Sequence, residues 1–253
     1  MNHVTAAIVP AEMPSEPPLP IAPAGACEPL PIAPAGEAEP LPIAVLVSGE
    51  GTNLQALLDS VHGREAQIVA VGSSRGGARA LDRAAAAGIE TAVFARSEHP
   101  DRNARDAALA AWLESRGARL IVLAGYMELL GESFLDRFPR AVINVHPSLL
   151  PAFPGLHAIE QALAYGVKVL GVTVHFVDGG IDSGPVIAQR AIDLDESWDA
   201  DQMLARLHPV EHELLADAVR LIARGGLRLD PHNPRRVLTT GGASVSAGGG
   251  KLS

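Results

Sequence analysis

Hydrophobic positions along the chain alternate between short β-branched runs, which predict strands, and longer runs with helical spacing. The predicted strands are Ile43–Ser48, Gln67–Gly72, Glu90–Phe94, Leu120–Ala124, Ala141–His146, Val169–Val177 and Pro185–Ala191. The predicted helices are Asn53–His62, Ala78–Ala87, Arg102–Arg116, Ser133–Arg137, Ala158–Tyr165 and Ala200–Arg224. This alternation predicts an α/β fold, a three-layer sandwich around a mostly parallel, Rossmann-like twisted sheet of about seven strands. The last two strands have no helix between them, so we expect one of them to run antiparallel.

Both ends of the chain differ in composition from this body. A Pro- and Ala-rich repeat occupies Pro18–Gly25 and Pro29–Gly36, and a third copy starts at Pro40 and runs into the first strand. We interpret it as a duplicated leader of that strand, although a partner-binding tail is the alternative. Because such composition favours extended chain, residues 1–41 are predicted to be disordered. Residues 227–253 end in Gly and Ser and are predicted to form a largely mobile tail, which leaves one folded domain over 42–226.

The overall composition narrows the class of protein. The formal net charge is −9 and only 4% of the residues are aromatic, which argues against a nucleic-acid surface but leaves phosphate binding by backbone amides open. Cys27 is the only cysteine, so one chain can form neither a disulfide nor a cysteine-based zinc site. The sequence has no apolar stretch of membrane-spanning length and no secretory signal pattern, so we expect a cytoplasmic protein without membrane contact.

The densest chemistry lies at the end of the fifth predicted strand. Asn144 and His146 are two residues apart, so their side chains leave the same face, and Pro147 ends the strand at once. Open α/β sheets place their ligands at such strand ends. An amide donor beside an imidazole suits a reaction in which a carbonyl becomes an oxyanion, because Asn donates a hydrogen bond while His donates one or moves a proton. Ser148 is a poor candidate nucleophile because the Gly-x-Ser-x-Gly elbow is absent.

A first glycine-rich loop joins the first strand to the first helix. Gly49 and Gly51 allow a tight turn, and the free N–H groups at the following helix start can bind an anion. The alternative is an ordinary turn in which Thr52 or Asn53 caps the helix. The strand-end Asn and His elsewhere in the chain favour phosphate binding over this alternative.

A second glycine-rich loop carries two carboxylates, Asp178 and Asp182. One of them could orient His146 or keep it protonated, whereas the alternative for either residue is a cap within a solvated turn. His157 and His175 are expected to be structural histidines. Their spacing matches no metal-binding pattern, so we expect no metal site.

Together these motifs resemble the folate-dependent formyltransferases over residues 42–226. The resemblance is carried by four ordered segments: Ser48–Gln55, Ala124–Met127, Asn144–His157 and Asp182–Ile187. It implies a formyltransferase-like fold and transfer of a formyl group from 10-formyltetrahydrofolate to the amine of glycinamide ribonucleotide in purine biosynthesis. The folate would then be a co-substrate, with no tightly bound cofactor, and the enzyme a monomer or homodimer that binds only small molecules. A formyltetrahydrofolate hydrolase and a non-catalytic folate or nucleotide binder are the alternatives.

The resemblance also implies roles for individual residues. Asn144, His146 and Asp182 match the catalytic trio, and Glu211 matches the acid that receives the substrate amine. The residues that match the phosphate loop are Gly51, Thr52 and Asn53. The residues that match the folate side are Arg102, Met127, Glu128, Leu129, Leu130, Asp178, Gly179, Gly180 and Ile181.

Two positions depart from the family pattern. Glu128 stands where the family usually has Arg, and His208-Pro209 replaces residues that usually read Gln-Thr or similar. Because a proline inside a helical pattern lacks an N–H and crowds the preceding turn, Pro209 predicts a kink or a new helix start.

Overall fold

The computed structural model describes residues 39–195 and 197–240 of the chain. Its strands are β1 (Leu41–Val47), β2 (Ala66–Ser73), β3 (Thr91–Val93), β4 (Leu120–Leu123), β5 (Val142–His146), β6 (Val169–Phe176), β7 (Val186–Asp193), β8 (Leu227–Asp230) and β9 (Asn233–Thr239). Its helices are α1 (Thr52–Ser60), α2 (Arg79–Ala86), α3 (Arg102–Ser115), α4 (Glu132–Leu135), α5 (Ala158–Tyr165) and α6 (Ala200–Ala223). All predicted strands and helices are present, and their ends differ from the predicted ends by no more than two residues.

The strands form one sheet in the order β3-β2-β1-β4-β5-β6-β7-β9-β8. The pairs from β3 to β5 are parallel, whereas β6 runs antiparallel to both β5 and β7. This confirms the prediction of one antiparallel strand. Every residue of β4 and nearly every residue of β1 is buried, which is the pattern of strands covered by helices on both faces.

The C-terminal end of the domain differs from the prediction. Residues 227–239, predicted as part of a tail, form an antiparallel hairpin of β8 and β9, so the sheet has nine strands instead of seven. Leu227 and Leu229 of β8 are buried, and Arg236 of β9 lies opposite Val186 of β7 in a parallel pair. The predicted boundary at residue 226 is therefore wrong. The disorder predicted for residues 1–41 extends too far, because Leu41 is fully buried at the start of β1. The disorder predicted for residues 1–38 and the mobility predicted for residues 241–253 fall outside the described residues.

Helix α6 is one continuous element, although Pro209 lies inside it. The predicted new helix start at that proline is wrong, because the helix begins nine residues earlier, at Ala200, after a capping box formed by Asp199 and Gln202. Buried Met203, Leu207 and Leu214 follow helical spacing along one face. Glu211 falls on the same buried face, which brings an acidic side chain into the interior. Within the described parts of the chain, no helix combines the length and apolar character needed to span a membrane.

Candidate active site

Asp182 contacts the side chains of Asn144 and His146, the two residues that the sequence selects at the end of β5. Its Oδ2 accepts a hydrogen bond from the Gly155 N–H at 2.7 Å and lies 3.3 Å from His146 Nδ1. Its Oδ1 accepts a hydrogen bond from Asn144 Nδ2 at 3.3 Å and lies 3.5 Å from His175 Nε2. The structure thus brings the three residues of the predicted catalytic trio together and adds a second histidine.

The pairing of β5 with β6 positions three of these side chains. Asn144 and His146 leave the same face of β5, as the two-residue spacing predicts. Their cross-strand partners are His175 and Thr173, respectively. Directly opposed residues of an antiparallel pair project to the same face, so His175 stands beside Asn144.

A tight loop between β6 and β7 carries Asp182 back toward these strands. Asp182 adopts a left-handed backbone conformation with φ 47°, which is uncommon for a residue with a side chain. A Cβ atom on Gly184 would lie 1.8 Å from the Phe176 carbonyl oxygen, so only glycine allows the loop to fold this closely.

The surroundings of Asp182 favour its charged form. Burial raises the pKa of this carboxyl, but hydrogen bonding with His175 and Gly155 and the charges of His146 and His175 outweigh that effect and lower the pKa to about 2. Asp182 is therefore a carboxylate at neutral pH and acts only as a hydrogen-bond acceptor.

Both ring nitrogens of His146 face oxygen acceptors. The Nε2–H donates to the Phe153 carbonyl at 2.8 Å, while Nδ1 faces the Asp182 carboxylate. Neither acceptor can donate a proton, so each is placed to accept a hydrogen bond from a ring N–H. An imidazole held in this way can donate a hydrogen bond to an oxyanion or transfer a proton.

His175 was not among the site residues predicted from the sequence. Its Nδ1–H donates to the Phe176 carbonyl at 2.8 Å, and its Nε2 lies 3.3 Å from Asn144 Nδ2 and 3.5 Å from Asp182 Oδ1. His175 thus helps to orient the Asn144 amide. The signal that could have found it is the antiparallel register, which sequence patterns do not fix.

Two other residues near the motif have local partners. The Ser148 hydroxyl is fully buried and donates to the Ala152 carbonyl at 2.5 Å, which fits the expectation that it is not a nucleophile. The His157 side chain is exposed and lies 3.4 Å from Glu160.

In the described chain, no group of three or more His, Cys, Asp or Glu residues is arranged to hold a metal ion.

Gly51 shapes the first glycine-rich loop. It is the N-cap of α1, with φ 74°, and no side chain caps the helix. The alternative in which Thr52 or Asn53 caps α1 is therefore wrong. A Cβ atom on Gly51 would lie 2.6 Å from Cβ of Ala80, so the close approach of α2 also requires glycine here.

Asn53 links this loop to Glu211. Its Nδ2 donates to Glu211 Oε2 at 3.2 Å, and its Oδ1 is buried without a hydrogen-bond partner. Burial raises the pKa of Glu211, although the Asn53 hydrogen bond and the charge of His208 partly offset it. A predicted phosphate-loop residue and the predicted amine-binding acid therefore share one polar cluster between α1 and α6.

The folate-side residues form two neighbouring loops. Met127, Leu129 and Ile181 are 57%, 58% and 58% exposed, respectively, so these loops present three large apolar side chains at the surface. A Cβ atom on Gly179 would lie 3.8 Å from Glu132 Oε1, so the second glycine-rich loop lies against the start of α4. Leu130 packs partly buried against the core.

The charged residues of the folate side differ in their surroundings. Arg102 is exposed and lies close to Gly131, where an added Cβ atom would be 3.5 Å from Arg102 Nε. Glu128 accepts a hydrogen bond from Arg105 Nη1 at 2.8 Å. Asp178 accepts from the Gly180 N–H and from the Ser183 hydroxyl, as expected of a carboxylate that caps its own turn.

The fold and the site together define an α/β enzyme with acid–base chemistry at the C-terminal end of a central strand, because a partly buried carboxylate contacts two imidazoles and an amide. Residues 41–219 match the family described as Formyl transferase, and the chain belongs to this family. The resemblance inferred from the sequence is confirmed.

Individual relatives agree with this assignment. A phosphoribosylglycinamide formyltransferase of Mycobacterium tuberculosis is 43% identical over 184 residues, which are 72% of this chain and 85% of that protein. The trifunctional purine biosynthetic protein adenosine-3 of Drosophila pseudoobscura pseudoobscura is 42% identical over 188 residues, or 73% of this chain, and the match covers only 14% of that longer protein.

Solved structures confirm the fold class. The glycinamide ribonucleotide transformylase 1 from Symbiobacterium toebii superposes with a TM-score of 0.76 at 42% identity and covers 80% of this chain and 95% of its own. A phosphoribosylglycinamide formyltransferase from Anaplasma phagocytophilum also gives 0.76, at 34% identity, and covers 81% of this chain and 97% of its own.

Proposed function

We propose that this chain transfers the formyl group of 10-formyltetrahydrofolate to the amine of glycinamide ribonucleotide, a step of purine biosynthesis. The observation that carries the proposal is the contact of Asp182 with both His146 and Asn144. The names of the relatives favour transfer over hydrolysis and over binding without catalysis.

The reaction needs two things from the residues at the end of β5. When the neutral amine attacks the formyl carbon, the formyl oxygen becomes an oxyanion that needs hydrogen-bond donors. Asn144 is one of those donors, because its contacts of 3.3 Å are long enough for an N–H to turn toward the oxyanion at small cost. His146 is the other, once the oxyanion replaces the Phe153 carbonyl as the partner of Nε2.

Proton transfer completes the reaction. The new carbon–nitrogen bond forms at the amine, the bond to the folate N10 breaks, and the proton lost by the amine ends on N10. Asp182 orients the His146 ring and accepts hydrogen bonds along the proton's route. This route requires no covalent enzyme intermediate.

The amine and the phosphate of the ribonucleotide would bind at the cluster between α1 and α6. Glu211 is buried and accepts a hydrogen bond from Asn53. The substrate amine can act as a second hydrogen-bond donor to this carboxylate. The backbone N–H groups in the first turn of α1 have no hydrogen-bond partner within the helix. Gly51, Thr52 and Asn53 would hold the phosphate there.

The folate would bind on the opposite side of the trio, against the two neighbouring loops. Met127, Leu129 and Ile181 offer an exposed apolar surface for its ring system. Arg102, Glu128, Leu130 and the Asp178–Gly180 turn would complete that side.

One assay tests the proposal. The purified chain is mixed with 10-formyltetrahydrofolate, with and without glycinamide ribonucleotide, and deformylation of the folate is followed. Loss of the formyl group only when the amine is present supports transfer. Equal loss without the amine would mean a hydrolase, and no loss despite tight binding would mean a non-catalytic binder.

Several expectations from the sequence stay predictions. These are a cytoplasmic location, a monomer or homodimer, and the absence of a tightly bound cofactor, a metal, a nucleic-acid partner and a membrane contact.

A further inference from the structure

A buried ion pair lies behind the loop that joins β4 to α4, residues Tyr126–Gly131, which we call the 126–131 loop. Arg105 is 2% exposed and Asp106 0% exposed on α3. The Arg105 Nε and Nη2 groups donate to Asp106 Oδ1 at 3.1 and 2.8 Å. Charged residues this deeply buried are rare unless they are paired.

The same pair also binds the loop directly. Arg105 Nη2 donates to the Leu129 carbonyl at 2.8 Å and Nη1 donates to Glu128 Oε2 at 2.8 Å. Asp106 Oδ2 accepts from the Gly131 N–H at 2.7 Å. The loop backbone is thus bound at both Leu129 and Gly131 by side chains of α3.

The hydrogen bonds to the loop backbone determine which of its side chains face outward. A third backbone bond runs from the Met127 N–H to Ser48 Oγ at 2.8 Å. With its backbone bonded from behind, the loop holds the Met127 and Leu129 side chains 57% and 58% exposed. Apolar side chains held at a surface in this way are typical of a ligand-binding face.

A contribution to folding stability is a weak explanation for the buried Arg105–Asp106 ion pair. Removing two charges from water is costly, and apolar residues of similar size often stabilise a protein as well or better. The fork of Arg105 instead reaches three acceptors at once, two of them on the loop, which suits the fixing of a conformation. The pairing also explains the departure at Glu128, whose carboxylate is engaged by Arg105.

We propose that Arg105 and Asp106 are positioning residues for the folate co-substrate, because they hold the 126–131 loop so that Met127 and Leu129 face it. This inference rests on the proposed function, which places the folate against the loop. Neither residue needs to contact the folate itself.

The test compares the full chain with its Asp106→Asn variant. Asparagine keeps the shape but has one oxygen, so it cannot accept from both Arg105 and Gly131. We expect the KM for 10-formyltetrahydrofolate to rise about tenfold or more, the scale of one lost charge-assisted hydrogen bond, while kcat and the KM for glycinamide ribonucleotide change by less than about twofold. Amide hydrogen exchange at residues 127–131, measured without substrates, should accelerate by about tenfold or more.

Two further variants make the result decisive. Asp217→Asn is the matched control, because Asp217 accepts from Arg220 on α6 and its change should alter neither KM. Arg105→Lys keeps the charge but not the fork, so it tests the same idea with the Asp106 carboxylate still paired, should Asp106→Asn fail to fold.

Unchanged exchange in the loop, or an equal rise in both KM values, would overturn the inference. Absence of turnover by the unaltered chain would refute the proposed function, and with it the folate part of the inference, whereas the exchange rates would still decide whether the pair holds the loop.

Discussion

Replacing Asp182 with Asn tests the site most sharply, because it removes a charge and keeps the shape. In the native chain the carboxylate has four contacts, from the Gly155 N–H at 2.7 Å to His175 Nε2 at 3.5 Å. Asparagine offers one oxygen and one NH₂ group, so at least one pair of these contacts becomes donor against donor. If the NH₂ group takes the place of Oδ2, His146 and the Gly155 N–H both lose their acceptor. If it takes the place of Oδ1, Asn144 loses its acceptor and His175 its carboxylate contact.

The structure gives the size of the effect. The surroundings lower the pKa of Asp182 from 3.8 to about 2, which corresponds to roughly 2 kcal/mol of favourable interaction with the carboxylate. Because the folded pKa is the lower one, this stabilisation is present above about pH 4 and is lost as the pH falls toward 2. If His146 loses the same interaction in the transition state, turnover falls about 30-fold, and the misplaced Asn144 brings the loss to about 10²-fold.

The assay is the rate of formyl transfer from 10-formyltetrahydrofolate at saturating substrates and neutral pH. It is run at a temperature where circular dichroism shows the variant to be folded. Glu114→Gln is the control, because Arg137 also lowers the pKa of Glu114 but this carboxylate lies near the end of α3, outside the site. Full turnover by Asp182→Asn would refute the mechanism and leave Asp182 as an ordinary turn carboxylate.

Three further predictions follow from single contacts. Arg235 Nη2 donates to the Ser183 carbonyl beside Asp182, so Arg235→Ala should lower kcat about three- to tenfold, and an unchanged kcat would show that the hairpin does not support the loop. Glu211→Gln should raise the KM for glycinamide ribonucleotide far more than that for the folate. Burial raises the pKa of Glu211, so its charged form costs stability at neutral pH and the variant should melt no lower, while a large fall in melting temperature would contradict this. Gly51→Ala meets both a left-handed backbone and a 2.6 Å approach to Ala80, so urea titration should show about 2 kcal/mol or more of lost stability, and an unchanged titration would contradict the geometry.

Much of the fold could be predicted because its strands carry a strong local signal. Buried strands such as β1 and β4 read as continuous apolar runs, since helices cover both of their faces. The hairpin of β8 and β9 could not be predicted in this way. Strand β9 is mostly exposed and contains Pro234, and its pairing with β7 depends on tertiary contacts.

The site residues also differ in whether a local sequence pattern or a non-local contact identifies them. Asn144 and His146 could be predicted because they share one strand face, and Asp182 because a recognisable motif contains it. His175 needed the register between β5 and β6, which is a non-local property. Nothing in the local sequence distinguishes Arg105 and Asp106 from surface charges on a helix, because their burial depends on the loop that covers them.

The most direct test of the account follows the formyl carbon itself. The chain is incubated with glycinamide ribonucleotide and 10-formyltetrahydrofolate that carries an isotopic label in the formyl carbon, and the products are identified by NMR and mass spectrometry. The account predicts that the label appears as a formamide on the ribonucleotide, with one tetrahydrofolate released for each. Label recovered as free formate, or retained on the folate, would contradict it.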